Sequence, residues 1–462
     1  MAPVRDVMSR RYKRFLAIVS FPVLVYMVFY QNIPAVQFMS QIKEIEMVNR
    51  DGVLVPYLLN SDLIQKFIDE IEKENVTVFL IEPRILNVII HLTNEMTIET
   101  NNLQINSDIN DTHFVSFGVT TDIDSDFQKI KFYGLKQNGF ENFKVKGVTS
   151  RPEFHQNNLS HIFLYHQLRP LLLHLVVFYN RGDNFIWNDR IHLVNPPDWL
   201  KTDQLSFGHN ASGFNNLELT QTRLGDLTLL APSNISRFLL QDIPESRFIE
   251  CNETRVKEFY RANPGFEATE TGRNRAMRAS KLLKSLKSTM DEVGVKYWLS
   301  SGTLLGWFRQ CGFISYTSDM DFEVYIKDYT PDILTTFKSH GFRQRRQLGR
   351  LNDSFEMTFN KQGLTMDVFY VYEEPDHIWV GGVGLRGEKY RFTFPIITLC
   401  WGELLGVAVR VPCDTPNYLV TVYGTNWTAP VTRWRWSESP RNIKKVGQWT
   451  REEMKETMKY MG

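Results

Sequence analysis

From Asp319 onward the chain reads DMDFEVYI, with Asp319, Asp321, Glu323 and Tyr325 alternating with Met320, Phe322, Val324 and Ile326. A period of two predicts a strand with one apolar and one acidic face. Asp319 and Asp321 then stand roughly 7 Å apart on the same side, a spacing at which two carboxylates share a hard cation. The competing reading is the solvated face of an edge strand, and Asp-x-Asp alone does not separate the two. A third acid adds weight: Asp367 lies in LTMDVFYVY, an apolar strand where a carboxylate without a partner or a metal is costly. Upstream, the apolar run VKYWL breaks at Ser300, and Ser301, Gly302 and Thr303 open a helical turn. Such a turn leaves backbone N–H groups that suit a phosphate.

Strand, small-residue turn, helix, Asp-x-Asp and a later lone strand Asp is the layout of the nucleotidyltransferase fold. The block LSSGTLLGWFRQCGFISYTSDMDFEV resembles the LicD family of phosphoryl-alcohol transferases. The likeness continues through VFLIEPRIL, HLVVFYNRGDNFIW, IPESRFIEC, LCWGELL and VPCDTPNYL, so it runs from about Asn75 to the C-terminus. One departure is visible: LicD proteins often read Pro-Trp-Asp-Asp-Asp before the strand, whereas here Ser315, Tyr316, Thr317 and Ser318 precede Asp319. The resemblance implies a CDP-alcohol donor, CDP-ribitol among the choices, and a glycoprotein O-mannosyl glycan as acceptor. It implies Mg²⁺ or Mn²⁺ on Asp319, Asp321 and Asp367, which are also the catalytic residues. Ser301, Gly302 and Thr303 would cradle a donor phosphate, and Lys389 and Arg391 are further candidates to contact it. Phosphocholine transfer, or a scaffold role beside other Golgi glycosyltransferases or related family members, are the alternatives that the same residues leave open.

Lys and Arg total 53 against 52 Asp and Glu in 462 residues, a balance that gives no argument for nucleic acid. Residues 15–30, FLAIVSFPVLVYMVFY, carry no charge and follow Arg5, Arg10, Arg11, Lys13 and Arg14. As a helix this run spans about 24 Å, close to the thickness of early secretory membranes. A cleaved signal peptide is the competing reading, but no small-x-small site follows. The expectation is a cytosolic tail at 1–14, a type II signal anchor at 15–35 and a stem at 36–59, with the remainder luminal and Golgi residence implied by the family likeness. Eight Asn-x-Ser/Thr sequons accord with a lumen, Asn110 and Asn158 being the first candidates for glycans. Of the four cysteines, Cys400 and Cys413 are the pair that would close a hairpin-sized loop, with free buried thiols as the alternative.

The elements that position the acids occur twice in outline. A helical stripe at Leu63, Ile64, Phe67, Ile68 and Ile71 runs into VTVFLI, as the helix after Ala279 runs into VKYWL. Laying VFLIEPRIL on YWLSSGTLL sets Pro83 opposite Gly302; HLVVFYNRGDNFIW on MDVFYVYEEPDHIW sets Leu175, or His174 after a one-residue shift, opposite Asp367; and Pro232 meets Pro412. Three matches in order suggest a duplicated unit, with unspecific αβ similarity as the alternative. The fold class expected is α/β (α+β): an N-terminal α/β domain at 60–250, read as a degenerate copy that binds acceptor or partner, and a nucleotidyltransferase-like catalytic domain at 266–462. Pro244 to Gly265 reads as the connection, and Gly381-Gly382-Val383-Gly384 as a hairpin turn, with a phosphate loop as the alternative that lacks a P-loop lysine pattern.

Overall fold

The computed structural model describes residues 60–94, 113–122, 132–147 and 158–461, apart from positions 170, 183–184, 203–204, 225–226, 267–268 and 432. The anchor expected at 15–35, the expected stem at 36–59 and Asn110 lie outside the described residues. Among the described residues no helix is long and apolar enough to cross a membrane.

The first unit begins with α1 (Ser61–Glu72), whose stripe of Leu63, Ile64, Phe67, Ile68 and Ile71 is buried. There follow β1 (Val78–Leu80), α2 (Pro83–Asn94), β2 (His113–Thr121), α3 (Tyr133–Gln137), β3 (Phe140–Lys146), β4 (Leu159–His166), β5 (Leu171–Asn180), β6 (Phe185–Asn188) and β7 (Ser212–Asn215). A hairpin, β8 (Leu219–Leu224) and β9 (Leu227–Pro232), leads into the short helix α4 (Ile235–Arg237). β5 is apolar and buried along nearly its whole length, as a strand covered on both faces must be.

After α5 (Glu253–Ala262) comes the second unit: α6 (Glu270–Val293), β10 (Trp298–Leu299), α7 (Ser301–Gln310), β11 (Asp319–Tyr325), α8 (Asp332–Ser339), β12 (Arg343–Arg350), β13 (Asp353–Lys361) and β14 (Leu364–Glu373). The chain continues through β15 (Ile378–Val383), β16 (Glu388–Phe394), the hairpin β17 (Leu399–Leu404) and β18 (Val407–Pro412), α9 (Thr415–Tyr423), β19 (Ile443–Gln448), α10 (Arg451–Thr457) and β20 (Met458–Tyr460).

The two units share one topology. In the first, β1 runs antiparallel to β2, β2 parallel to β5, β5 antiparallel to β4, and β4 antiparallel to β3. In the second, β10, β11, β14, β13 and β12 pair in the same order and the same senses. The register is shared as well. Leu80 pairs with Phe117 as Leu299 pairs with Phe322, and the Ile81 N–H donates to the Ser116 carbonyl as the Ser300 N–H donates to the Asp321 carbonyl. Ser116 therefore stands where Asp321 stands. Its parallel partner is His174 and that of Asp321 is Asp367, so His174, rather than Leu175, occupies the position of Asp367.

Two main hydrophobic cores result among the described residues, one drawn mainly from residues 63–248 and the other from 279–422, beside two smaller clusters. The β17–β18 hairpin belongs to both, with Trp401 and Ala408 in the first core and Leu404, Val407 and Val409 in the second. The stretch expected to be a plain connection is stitched to its surroundings. Phe248 bridges to Trp401, Cys251 is bonded to Cys311, and Arg255 lies 3.6 Å above the Phe308 ring. Of the glycine run only Gly384 lies in the hairpin turn, between β15 and β16, while Gly381 and Gly382 lie inside β15. A Cβ on Gly381 would come within 2.3 Å of Ser354, so the close approach of β13 is what requires glycine there.

Candidate active site

Parallel pairing of β11 with β14 sets Asp321 directly beside Asp367. With Asp319 these acids bring ligand atoms within 4.8 Å of one another. Burial, then the charges of Asp319 and Asp367, push the Asp321 carboxyl well above its ordinary range. Burial raises Asp367 too, opposed by the Thr358 hydroxyl bonded to it and by Arg346. Three oxygen donors that mutual repulsion keeps from ionising together form an all-oxygen set fitted to one hard divalent cation.

The neighbouring strands extend the site. Glu356 on β13 is buried and its carboxyl is pushed up to about 7, burial outweighing Arg346. Arg346 on β12 donates to Glu356 at 2.7 Å and to the Thr358 hydroxyl at 3.1 Å, and its Nη2 stands 3.6 Å from Asp367. Sequence reasoning missed both residues. Arginines crowd RQRRQ, and a register shift between Gln344 and Arg346 breaks the alternation that would have told which of them faces the acids.

Glu323 continues the acidic alternation in sequence but is not solvated. It accepts from the Trp298 indole at 2.7 Å, the Ser300 hydroxyl at 2.6 Å and the Tyr418 hydroxyl at 2.8 Å. These bonds fix the entry to α7. Because Ser300 spends its hydroxyl on Glu323, it does not cap α7, and the first N–H groups of that helix stay unclaimed by its side chain. Ser301 adopts a positive φ of 46°, and a Cβ on Gly302 would meet nothing within 4 Å. Thr303 accepts the Asp321 backbone N–H at 2.8 Å, which ties the helix start to the acids.

Not every expected residue reaches this place. Lys389 is paired with Asp353 and lies over the Trp449 ring, while Arg391 stacks 3.9 Å above Trp379. Asp353 precedes Thr358 by five residues, roughly 16 Å along a strand, so the Lys389 cation is held away from the triad. Cys400 and Cys413 are bonded, closing the β17–β18 hairpin. Asn158 precedes β4 with its side-chain nitrogen buried, so a glycan there requires that side chain to turn outward.

The three acid positions hold no acid in the first unit. Phe114, Ser116 and His174 stand at the positions of Asp319, Asp321 and Asp367. Ser116 and His174 are fully buried, and the His174 ring stacks on Phe163 at 4.6 Å. Pro83, at the position of Gly302, has no backbone N–H to offer a phosphate.

Residues 9–277 match the family model described as Fukutin N-terminal, and residues 294–414 match that of the LicD/FKTN/FKRP nucleotidyltransferase domain. The chain is 32% identical over 410 residues to the ribitol-5-phosphate transferase FKTN of Homo sapiens, covering 84% of this chain and 85% of that one. The Macaca fascicularis protein of the same name is 33% identical with the same coverage. That of Mus musculus is 38% identical over 281 residues, a stretch spanning 60% of each chain.

Proposed function

The chain belongs to the fukutin family, and on that premise we propose that it moves ribitol 5-phosphate from CDP-ribitol to a sugar hydroxyl of a glycoprotein O-mannosyl glycan of dystroglycan type. One observation carries this reading: the three-carboxylate cluster on β11 and β14, in a chain similar over most of its length to a ribitol-5-phosphate transferase. The acceptor oxygen bonds to the phosphorus that bears ribitol, the bond from that phosphorus to the bridging oxygen breaks, and CMP leaves with the electron pair. With no metal on it, the Asp367 carboxylate takes the hydroxyl proton; otherwise it completes the oxygen set around the metal. Backbone N–H groups at Ser301 and Gly302 hold a donor phosphate at the start of α7, and Thr303 keeps that helix start against Asp321. Asp319, Asp321 and Asp367 would hold Mg²⁺ or Mn²⁺, which when bound neutralises charge on the donor phosphates and on departing CMP.

The same reading makes residues 15–35 a type II anchor in the Golgi membrane, with the catalytic part in the lumen. The Cys251–Cys311 and Cys400–Cys413 bonds support it, because disulfides persist in oxidising compartments. The first unit, which lacks the three-carboxylate cluster, presents its surface to the acceptor glycoprotein or to other glycosyltransferases. The test is CMP release by the purified full chain offered CDP-ribitol, CDP-choline and CDP-glycerol in turn. Release from CDP-ribitol, with ribitol phosphate appearing on the glycan, is the expected result. Preference for CDP-choline would replace the donor, and silence with every donor would leave a scaffold.

A further inference from the structure

We propose that Arg346 is a phosphate ligand of the donor site, held ready by Glu356 and handed from Asp367 to the donor when it binds. The proposal rests on the CDP-alcohol reading above. Sheet register puts four residues in one row across adjacent strands: Asp321 on β11, Asp367 on β14, Thr358 on β13 and Arg346 on β12. Glu356 is the fixed end of the arrangement, its side chain only 6% exposed and bonded to Arg346. The Arg346 side chain is 35% exposed, and its Nη1 has no partner among the described residues. The longer 3.6 Å approach to Asp367 is the contact that yields, since a guanidinium makes better paired bonds to phosphate oxygens.

The first unit serves as an internal control. Its row, at the same register, reads Ser116, His174, Phe163 and Phe143. The Ser116 hydroxyl and the His174 Nδ1 lie 3.3 Å apart, and the His174 Nε2 is 3.0 Å from His161. Both histidines are buried, and burial pushes both below their ordinary range. The acids and the arginine are thus missing together, whereas the strand order they sit on is retained. An arginine needed only to hold β12 against β13 would have no reason to go when the acids go.

The experiment uses the full chain with Arg346→Gln and Arg346→Lys, and measures Mn²⁺ alone by electron paramagnetic resonance and CDP with Mn²⁺ by calorimetry. A cation beside Asp367 opposes metal and favours phosphate. Arg346→Gln should therefore bind Mn²⁺ several-fold tighter and CDP roughly tenfold or more weaker. Arg346→Lys, which keeps the charge and loses the fork, should leave Mn²⁺ affinity within about twofold and still weaken CDP. Opposite movement of the two affinities is what a merely structural arginine would not produce. Equal weakening of both, or unchanged CDP affinity in the variants, overturns the proposal; if the glutamine variant does not fold, the lysine variant decides. A wild-type chain that binds CDP but transfers no ribitol phosphate would refute the function proposed above, while Arg346 is still judged on CDP binding.

Discussion

Replacing Asp321 by asparagine separates what the acidic cluster contributes to chemistry from what it contributes to folding. Two carboxylates with ligand atoms within 4.8 Å of each other repel by at least about 3 kcal/mol at an effective dielectric constant of roughly 20, and Asp321 faces two such neighbours. Proton uptake limits the cost, because Asp321 is raised well above its ordinary range by burial and by those neighbours. A net penalty of about 1–3 kcal/mol at neutral pH without metal follows. Asparagine removes the charge at nearly constant shape, and the bond from the residue 321 backbone to Thr303 survives. Asp321→Asn should raise Tm in chelator by about 1–4 °C, lose the further rise that Mn²⁺ gives the wild-type chain, and abolish transfer. Differential scanning fluorimetry of the full chain, with chelator and then with Mn²⁺, reads all but the last. A lower Tm in chelator, or a Mn²⁺ shift as large as that of wild type, would refute the reasoning.

Three other outcomes are expected. Because Glu356 rises from 4.5 unfolded to about 7 folded, the folded state holds its proton more tightly, and stability should fall by about 3 kcal/mol as pH rises from roughly 4.5 to 7. Glu356→Gln should flatten that part of the profile in urea unfolding, and an unchanged profile would count against the assignment. Arg181, buried between Glu250 and Glu403, joins the first unit to the hairpin of the second; Arg181→Met should cost about 3–5 kcal/mol by removing a buried cation bonded to both carboxylates, and a urea midpoint shift worth less than about 1 kcal/mol would contradict it. Residues 266–462 expressed alone should fail to fold cooperatively, since Trp401 and Ala408 of their hairpin belong to the first core; a sharp calorimetric transition in that fragment would show the shared hairpin to be dispensable.

The acids were legible in the sequence because charge at a period of two in an apolar strand has few physical explanations. Asp319, Asp321 and Asp367 announced both their strands and their common face. The duplicated topology was legible only in outline, and Leu175 could not be distinguished from His174 by eye because a one-residue slip leaves an apolar strand equally apolar; pairing with Ser116 decides it. Arg346 was hidden by the bulge in β12. Lys389 and Arg391 looked suitable because they are cations close after a glycine run, but a cation's partner depends on which strands its sheet neighbours are. Glu323 misled in the opposite direction: three donors from β10, the start of α7 and α9 converge on it, and none of them is near it in sequence. Cys251 and Cys311, 60 residues apart, offered no local signal at all.

The most direct test of the account is mass spectrometry of an O-mannosyl glycan acceptor after incubation with CDP-ribitol and the full chain, run beside Asp319→Asn, Asp321→Asn and Asp367→Asn. The account predicts that wild type adds the mass of one ribitol phosphate with matching CMP release, and that each folded variant adds none. An unmodified acceptor with the wild-type chain, or full modification by any of the three variants, would contradict it.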